Sequence, residues 1–365
     1  MKKTLCVLLV IVFLAGCGAD VSFRQEKQTV QVQYSELRYF INQMEHEDYE
    51  NFCAYYNAAA NFESSCKLPH PVKQNRAEAM VSILQYECPE LMMLDFTQGY
   101  SLYSQNEQIT EISVPLCVDA ASYEDIKEQT EAAVRDLAKR CAGLSESETE
   151  KTVYDYIVSH CVYDETAAWA GTAYGCLVLG KAKCDGISAA MKWVLEEAGV
   201  KCITLGGEPV TGTIGHAWNV VCIDDNWYDV DVTADVNRQQ ESVPNYPAYN
   251  VSDRWIRDKY ILSSMYEVWG PVPGADSMDG SYYAVNGGYV QTGKPDDLEQ
   301  RYTEAYEQHD SFVLQFESQA DFATFEQELE ARLERLGNKQ RWSSWGWEVV
   351  SVPDYRTVRI TATES

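Results

Sequence analysis

Most signatures of catalytic chemistry are missing from this chain. Its 365 residues contain no HExxH, no CxxC pair, no phosphate-binding glycine loop and no GxSxG. Zinc hydrolysis, nucleotide chemistry and serine hydrolysis therefore lack their usual residues, and no metal site or cofactor is expected. Histidine is scarce, with five residues, and His46, His70, His160 and His309 are scattered without ligand spacing. Positive charge is scarce too: 29 Lys and Arg stand against 56 Asp and Glu, a formal charge of −27. Without a basic cluster, nucleic acid is excluded as a partner. The acidity reads as what keeps an exported protein soluble, not as a cationic-substrate signal. No internal repeat or low-complexity tract is present.

Apolar material is plentiful. Hydrophobic residues make up 45% of the chain and nine are tryptophan, enough for real cores and against wholesale disorder. The length suggests two or three packed units.

The first residues read as a targeting signal. Lys2 and Lys3 form a positive start, and Leu5 to Leu14 is an apolar stretch too short to span a bilayer. Leu14-Ala15-Gly16-Cys17 resembles a bacterial lipobox. That resemblance implies lipidation of Cys17, cleavage before it, and a mature protein anchored on the extracytoplasmic face of the cell membrane. Twelve cysteines are present. Setting aside Cys6, Cys17 and Cys184 leaves an odd number with no framework spacing, and Cys202 and Cys222 lie in apolar runs as small hydrophobes do.

Composition shifts divide the chain into residues 1–16 (signal), 17–32 (lipidated Cys17 and a polar tether), 33–143 (N-terminal α/β region), 144–292 (central domain) and 296–365 (a small C-terminal α/β region). Apolar periodicity predicts helices from about Tyr34, around Ala79 to Tyr86, and from Tyr123 to Cys141. Pro69-His70-Pro71 reads as a break. Residues 96–104 and 109–118 alternate as two strands with a turn near Gln105-Asn106. Ser145-Glu146-Ser147-Glu148 opens a helix to about Cys161. Residues 186–198 are helical and stop at Gly199. Strands follow at 200–205, 216–223 and 226–232. Tyr282-Tyr283 to Val290 reads as strand. The C-terminal region reads as helix 296–306, strand 311–317, helix 320–336 and two strands within 345–363.

Chemistry concentrates between Gly180 and Asp231. Cys184 stands at the start of the helix carrying Ile187, Met191, Val194, Leu195 and Ala198 at apolar spacing. A helix N-terminus favours a thiolate through its free N–H groups, with Lys181 and Lys183 adding positive charge. A histidine and an acid complete a thiol nucleophile, and backbone N–H groups at the helix start suit an oxyanion. His216 opens a later strand, sharing a face with Trp218, Val220 and Cys222. A hairpin turn at Asp225-Asn226 would place Cys222 opposite Asp229 and Val220 opposite Asp231. Asp229, Asp231 and Asp235 would then all share the face of His216, with Asp235 directly opposite it. Parity admits Asp231 without selecting it.

Residues 150–233 resemble the transglutaminase-like superfamily, the papain-like cysteine fold. The matching residues are Tyr154-Asp155-Tyr156-Ile157, Tyr163-Asp164, Tyr174-Gly175-Cys176-Leu177-Val178, Lys183-Cys184-Asp185-Gly186-Ile187-Ser188, His216-Ala217-Trp218-Asn219-Val220-Val221 and Trp227-Tyr228-Asp229-Val230-Asp231-Val232-Thr233. The resemblance implies an α+β fold with the cysteine helix packed on an antiparallel sheet. It implies Cys184 as nucleophile, His216 as base and Asp231 as the acid that orients it. Trp169, Tyr174 and Trp218 are candidates for lining the acyl cleft. The chain departs from the family pattern at Ala234, where tryptophan is usual, and at Asp185, where a small or neutral residue is usual. A carboxylate beside a thiol opposes the helix effect.

The expected activity is cysteine-dependent acyl transfer on peptide or side-chain amide bonds, as a protease or amidase ahead of a crosslinking transferase. The substrate would be a protein or peptide of the wall or cell surface. The competing expectation is a surface-anchored binding module that keeps the fold without catalysis.

Overall fold

The computed structural model describes residues 37–212, 215–237, 245–340 and 346–363. The signal stretch, Cys17 and the tether lie outside the described residues. The N-terminal region comprises α1 (His46–Ala60), β1 (Ser65–Val72), α2 (Gln74–Glu87), β2 (Leu102–Gln105), β3 (Gln108–Ser113) and α3 (Ala120–Arg140). Among the described residues before α1, the helix expected from about Tyr34 is a 3-10 turn at Ile41–Gln43. The three strands are antiparallel in the order β1-β3-β2. Asn106 and Glu107, both at positive φ, make the hairpin turn one residue later than the sequence suggests. Pro69 and Pro71 do not break the chain; they lie within β1. This is possible because β1 is an edge strand with a register shift between Lys67 and Val72, where missing N–H groups cost little.

The central region contains α4 (Glu146–His160), β4 (Val162–Tyr163), α5 (Ala173–Leu177), β5 (Lys181–Ala182), α6 (Cys184–Glu197), β6 (Cys202–Pro209), β7 (His216–Ile223), β8 (Asn226–Val230), α7 (Thr233–Val236), α8 (Asp253–Arg257), β9 (Tyr260–Leu262) and α9 (Tyr266–Trp269). Ser145 and Glu148 form a reciprocal capping box at the start of α4, as their spacing predicts. Ile187, Met191, Val194 and Leu195 are essentially fully buried along one face of α6. Each such burial is worth roughly 1.5–3 kcal/mol. The helix packs on β6 and β7 and ends at Gly199, whose φ of 90° favours glycine. Strands β8-β7-β6-β9 form one antiparallel sheet.

The β7–β8 register differs from the expected one. Asp224 and Asp225 form the turn, both at positive φ, so Val220 pairs with Asp229 and Cys222 with Trp227. The shift is two residues, so the sharing of faces survives. The strand then ends at Val230, and Asp235 leaves the sheet on α7.

The remaining elements are α10 (Tyr282–Val285), β10 (Tyr289–Val290), α11 (Leu298–Gln308), β11 (Ser311–Phe316), α12 (Gln319–Gln340), β12 (Gly346–Val352) and β13 (Thr357–Thr363), with sheet order β10-β11-β13-β12. The stretch expected as strand from Tyr282 begins instead as a helical turn, because the Ser281 hydroxyl caps it by accepting from the Ala284 N–H.

One continuous cluster of buried side chains runs from Phe40 to Met278, and a second, smaller one from Val290 to Ile360. Within the first lies a buried ionic knot. Lys192 of α6 donates to Glu196 Oε1 (2.6 Å), to the Cys202 carbonyl (2.7 Å) and to Glu87 Oε1 of α2 (3.4 Å), while Arg38 Nε lies 3.4 Å from Glu196 Oε2. It ties the N-terminal region to the cysteine helix. Eight of the ten described cysteines are buried, including Cys202 and Cys222.

Candidate active site

Cys184 is the first residue of α6 and is 8% exposed. Its N–H therefore has no acceptor within the helix. Lys183 enters in an extended conformation, its N–H held by the Ala170 carbonyl at 2.9 Å. The helix start lies hard against residues 170–172. A Cβ at Gly186 would sit 2.3 Å from the Ala170 oxygen and 2.8 Å from that of Thr172, so only glycine permits this approach.

His216 opens β7 opposite Gly207 of β6. Its Nε2 donates to Asp231 Oδ2 at 2.8 Å, and the ring lines one cavity with the Cys184 thiol. Asp231 directly follows β8. Its Oδ1 accepts from the Thr233 N–H at 3.1 Å, and its own N–H is held by the Ala248 carbonyl. The Asp-Val-Thr sequence thus fixes the carboxylate by a turn. Burial pushes the His216 ring's pKa down, but the Asp231 charge and hydrogen bond, with a smaller contribution from Cys184, overcome it. The pKa is brought up to about 10.

The imidazole is also held by stacking. Tyr260 of β9 lies over it with ring centroids 4.7 Å apart, and Trp218 stacks on Tyr260 at 5.7 Å. The Trp218 indole N–H donates to Asp229 Oδ1 at 2.7 Å. Asn219 reaches the other way, its side-chain amide donating to the Ser188 carbonyl at 3.1 Å, which ties β7 to α6. Each position of His-Ala-Trp-Asn therefore alternates between the histidine's face and the helix's face.

The three aspartates separate clearly. Asp231 meets His216; Asp229 holds Trp218; Asp235 accepts from the Tyr154 hydroxyl (2.9 Å) and the Tyr246 N–H (2.7 Å) and serves the core. Burial, reinforced by Asp253, drives the Asp229 carboxyl well above the usual range. The carboxylate of Asp185 is met by Lys183 at 2.8 Å, and Lys181 lies 3.6 Å from Asp164.

A cavity of about 390 Å³ opens over the pair, lined by Cys184, His216, Gln85, Tyr86, Tyr163 and Glu208 among others. A second, of about 510 Å³, shares Gln85, Glu165, Lys183 and Asp185 with it. Trp169 borders this second cavity, and Tyr174 meets Trp169 edge-on at 5.9 Å. Trp218 is 1% exposed and lines neither: it is covered by Tyr260 and tied to Asp229. Tyr86 and Tyr260 escape sequence reasoning, since both arrive from segments with no local motif. Among the described residues no group of three or more His, Cys, Asp and Glu side chains is arranged to hold a metal ion.

Residues 135–232 match the sequence model of the transglutaminase-like superfamily. Kyphoscoliosis peptidase of Mus musculus is 28% identical over 129 residues, which cover 31% of this chain and 19% of that protein. The chain thus spans about a fifth of the length of this relative. Among solved structures, a TGase is 22% identical with a TM-score of 0.25, covering 40% of this chain and 47% of its own. The periplasmic domain of TgpA from Pseudomonas aeruginosa is 15% identical with a TM-score of 0.25, covering 35% and 54%. Within a mixed α+β chain, residues 135–232 are a transglutaminase-like superfamily domain.

Proposed function

We propose that this protein is an extracytoplasmic, cysteine-dependent acyl-transfer enzyme acting on peptide or side-chain amide bonds. The observation that carries the reading is one imidazole, His216, hydrogen-bonded to Asp231 at 2.8 Å and facing the same cavity as the Cys184 thiol. In this reading the Cys184 sulfur attacks the amide carbonyl carbon, and its proton resides on His216. The C–N bond then breaks as His216 passes that proton to the departing amine, leaving a thioester. Water attacking the thioester, with its proton taken by His216, releases a carboxylic acid; an amine in place of water gives a crosslink. Asp231 holds the ring in its productive tautomer. We read hydrolysis as the principal outcome, consistent with the peptidase name of the mouse relative. The substrate is read as a wall or surface peptide, reached from a lipid anchor at Cys17.

Trapping tests the chemistry. Incubation with a surface-protein or wall extract and acid quenching should leave an acyl group on Cys184, found by mass spectrometry of its peptide and absent from Cys184→Ala. A wild-type thiol that alkylates with iodoacetamide but never carries an acyl group would sink the reading. Labelled palmitate should incorporate into the wild type and not into Cys17→Ala; incorporation that persists in the variant overturns the anchor.

A further inference from the structure

We propose that Tyr86, delivered by α2 from outside the family-matched segment, is a further catalytic residue. Its phenolic O–H and the backbone N–H of Cys184 together receive the oxyanion that forms when the sulfur attacks. This rests on the acyl-transfer reading above.

Three observations place the hydroxyl. First, Tyr86 lines the same cavity as Cys184 and His216. Second, β6 leaves room for it: a Cβ at Gly206 would sit 2.5 Å from the Tyr86 hydroxyl oxygen and 2.9 Å from Cζ. Gly206 pairs with Ala217, one step along from the Gly207–His216 pair, so the phenol packs on the face of the sheet that is turned toward α6, the helix bearing the thiol. Third, the hydroxyl makes no hydrogen bond to any described residue. The side chain is half-buried and its hydroxyl is not sealed in the core. Of the other phenols near the thiol, Tyr163 commits its O–H to Glu165 at 2.9 Å and Tyr260 turns its face to the imidazole. The Tyr86 proton is uncommitted.

The anchoring is rigid. Glu87, the next residue on α2, is held by Lys192 of α6 at 3.4 Å, so the helix bearing the phenol is tied to the helix bearing the thiol. Burial, with the nearby charges of Asp185, Cys184 and Glu208, pushes the phenol's pKa up. It therefore remains a donor across the neutral range. In the addition step the S–C bond forms and the carbonyl π pair moves to oxygen. Tyr86 and the Cys184 N–H donate hydrogen bonds to that oxygen and transfer no proton. The pair returns as the C–N bond breaks.

An aldehyde that adds to a thiol reproduces the oxyanion geometry, whereas alkylation by iodoacetamide forms no oxyanion. With N-acetylglycinal as probe, Tyr86→Phe should weaken reversible adduct formation at Cys184 by roughly 10- to 100-fold, below the cost of losing a full donor in turnover. The alkylation rate should stay as in the wild type, and the thermal midpoint should be kept because the ring still packs on Gly206. Unchanged aldehyde affinity overturns the proposal, as does an equal fall in both reactions. Loss in Gln85→Ala with none in Tyr86→Phe assigns the oxyanion to the amide and overturns it too. A wild-type protein that is alkylated but forms no aldehyde adduct overturns the acyl-transfer reading itself, and the Tyr86 role with it.

Discussion

Replacing Asp231 by asparagine keeps the side chain's shape and removes its charge, which isolates what holds His216. In the wild type the ring's pKa stands at about 10 against an ordinary 6.5. At about 1.4 kcal/mol per unit this is a preference of roughly 5 kcal/mol for the imidazolium in the folded state. The folded value is the raised one, so this stabilisation is complete below pH 6.5 and is lost as pH climbs through 10. Asp231 supplies the two largest raising contributions, and burial opposes them. In Asp231→Asn the ring should therefore titrate roughly two units lower or more. The assay is an NMR titration of labelled histidine, simple because the chain has five, paired with urea unfolding at pH 6 and pH 10. Wild-type stability should fall more steeply than the variant's between those values. A wild-type His216 that titrates near 6.5, or one that the substitution leaves unmoved, would refute the reasoning.

Two further substitutions probe the scaffold. Gly186→Ala should cost about 1–3 kcal/mol by overpacking, read as a lowered thermal midpoint, since its Cβ meets the Ala170 oxygen at 2.3 Å; an unchanged midpoint contradicts the close approach. Lys192→Met strands Glu87 and Glu196 in the core, so urea unfolding should show a loss of about 3–5 kcal/mol, and adding Glu87→Gln should restore part of it. If the double variant is no more stable than the single, the knot is not what the charges maintain.

Local signals in the chain were legible where a short stretch determines its own structure. Ser145 and Glu148 needed only each other to cap a helix, and the apolar spacing behind Cys184 needed only a face to bury. The pleat's period of two put Asp229 and Asp231 on the histidine's face even though the turn was misplaced, because a two-residue slip conserves parity. The misplacement came from two adjacent aspartates adopting left-handed geometry, a choice that the flanking strands impose. Pro69 and Pro71 read as a break because edge position is not written in the sequence. Tyr86 and Tyr260 were invisible for the same kind of reason: their roles depend on contacts made across more than forty residues, with no spacing to mark them.

The continuous core has a consequence for dissection. The segment matched to the superfamily ends at residue 232, yet the ring stacked on His216 comes from residue 260 and the phenol over Gly206 from residue 86. Cutting the chain to the matched segment would strip the imidazole of its cover and leave Lys192 without Glu87. The smallest fragment that keeps the cysteine's surroundings whole runs from about Arg38 to Met278, set by the ionic knot at one end and the buried cluster at the other. Expression trials should take those limits as their starting boundaries.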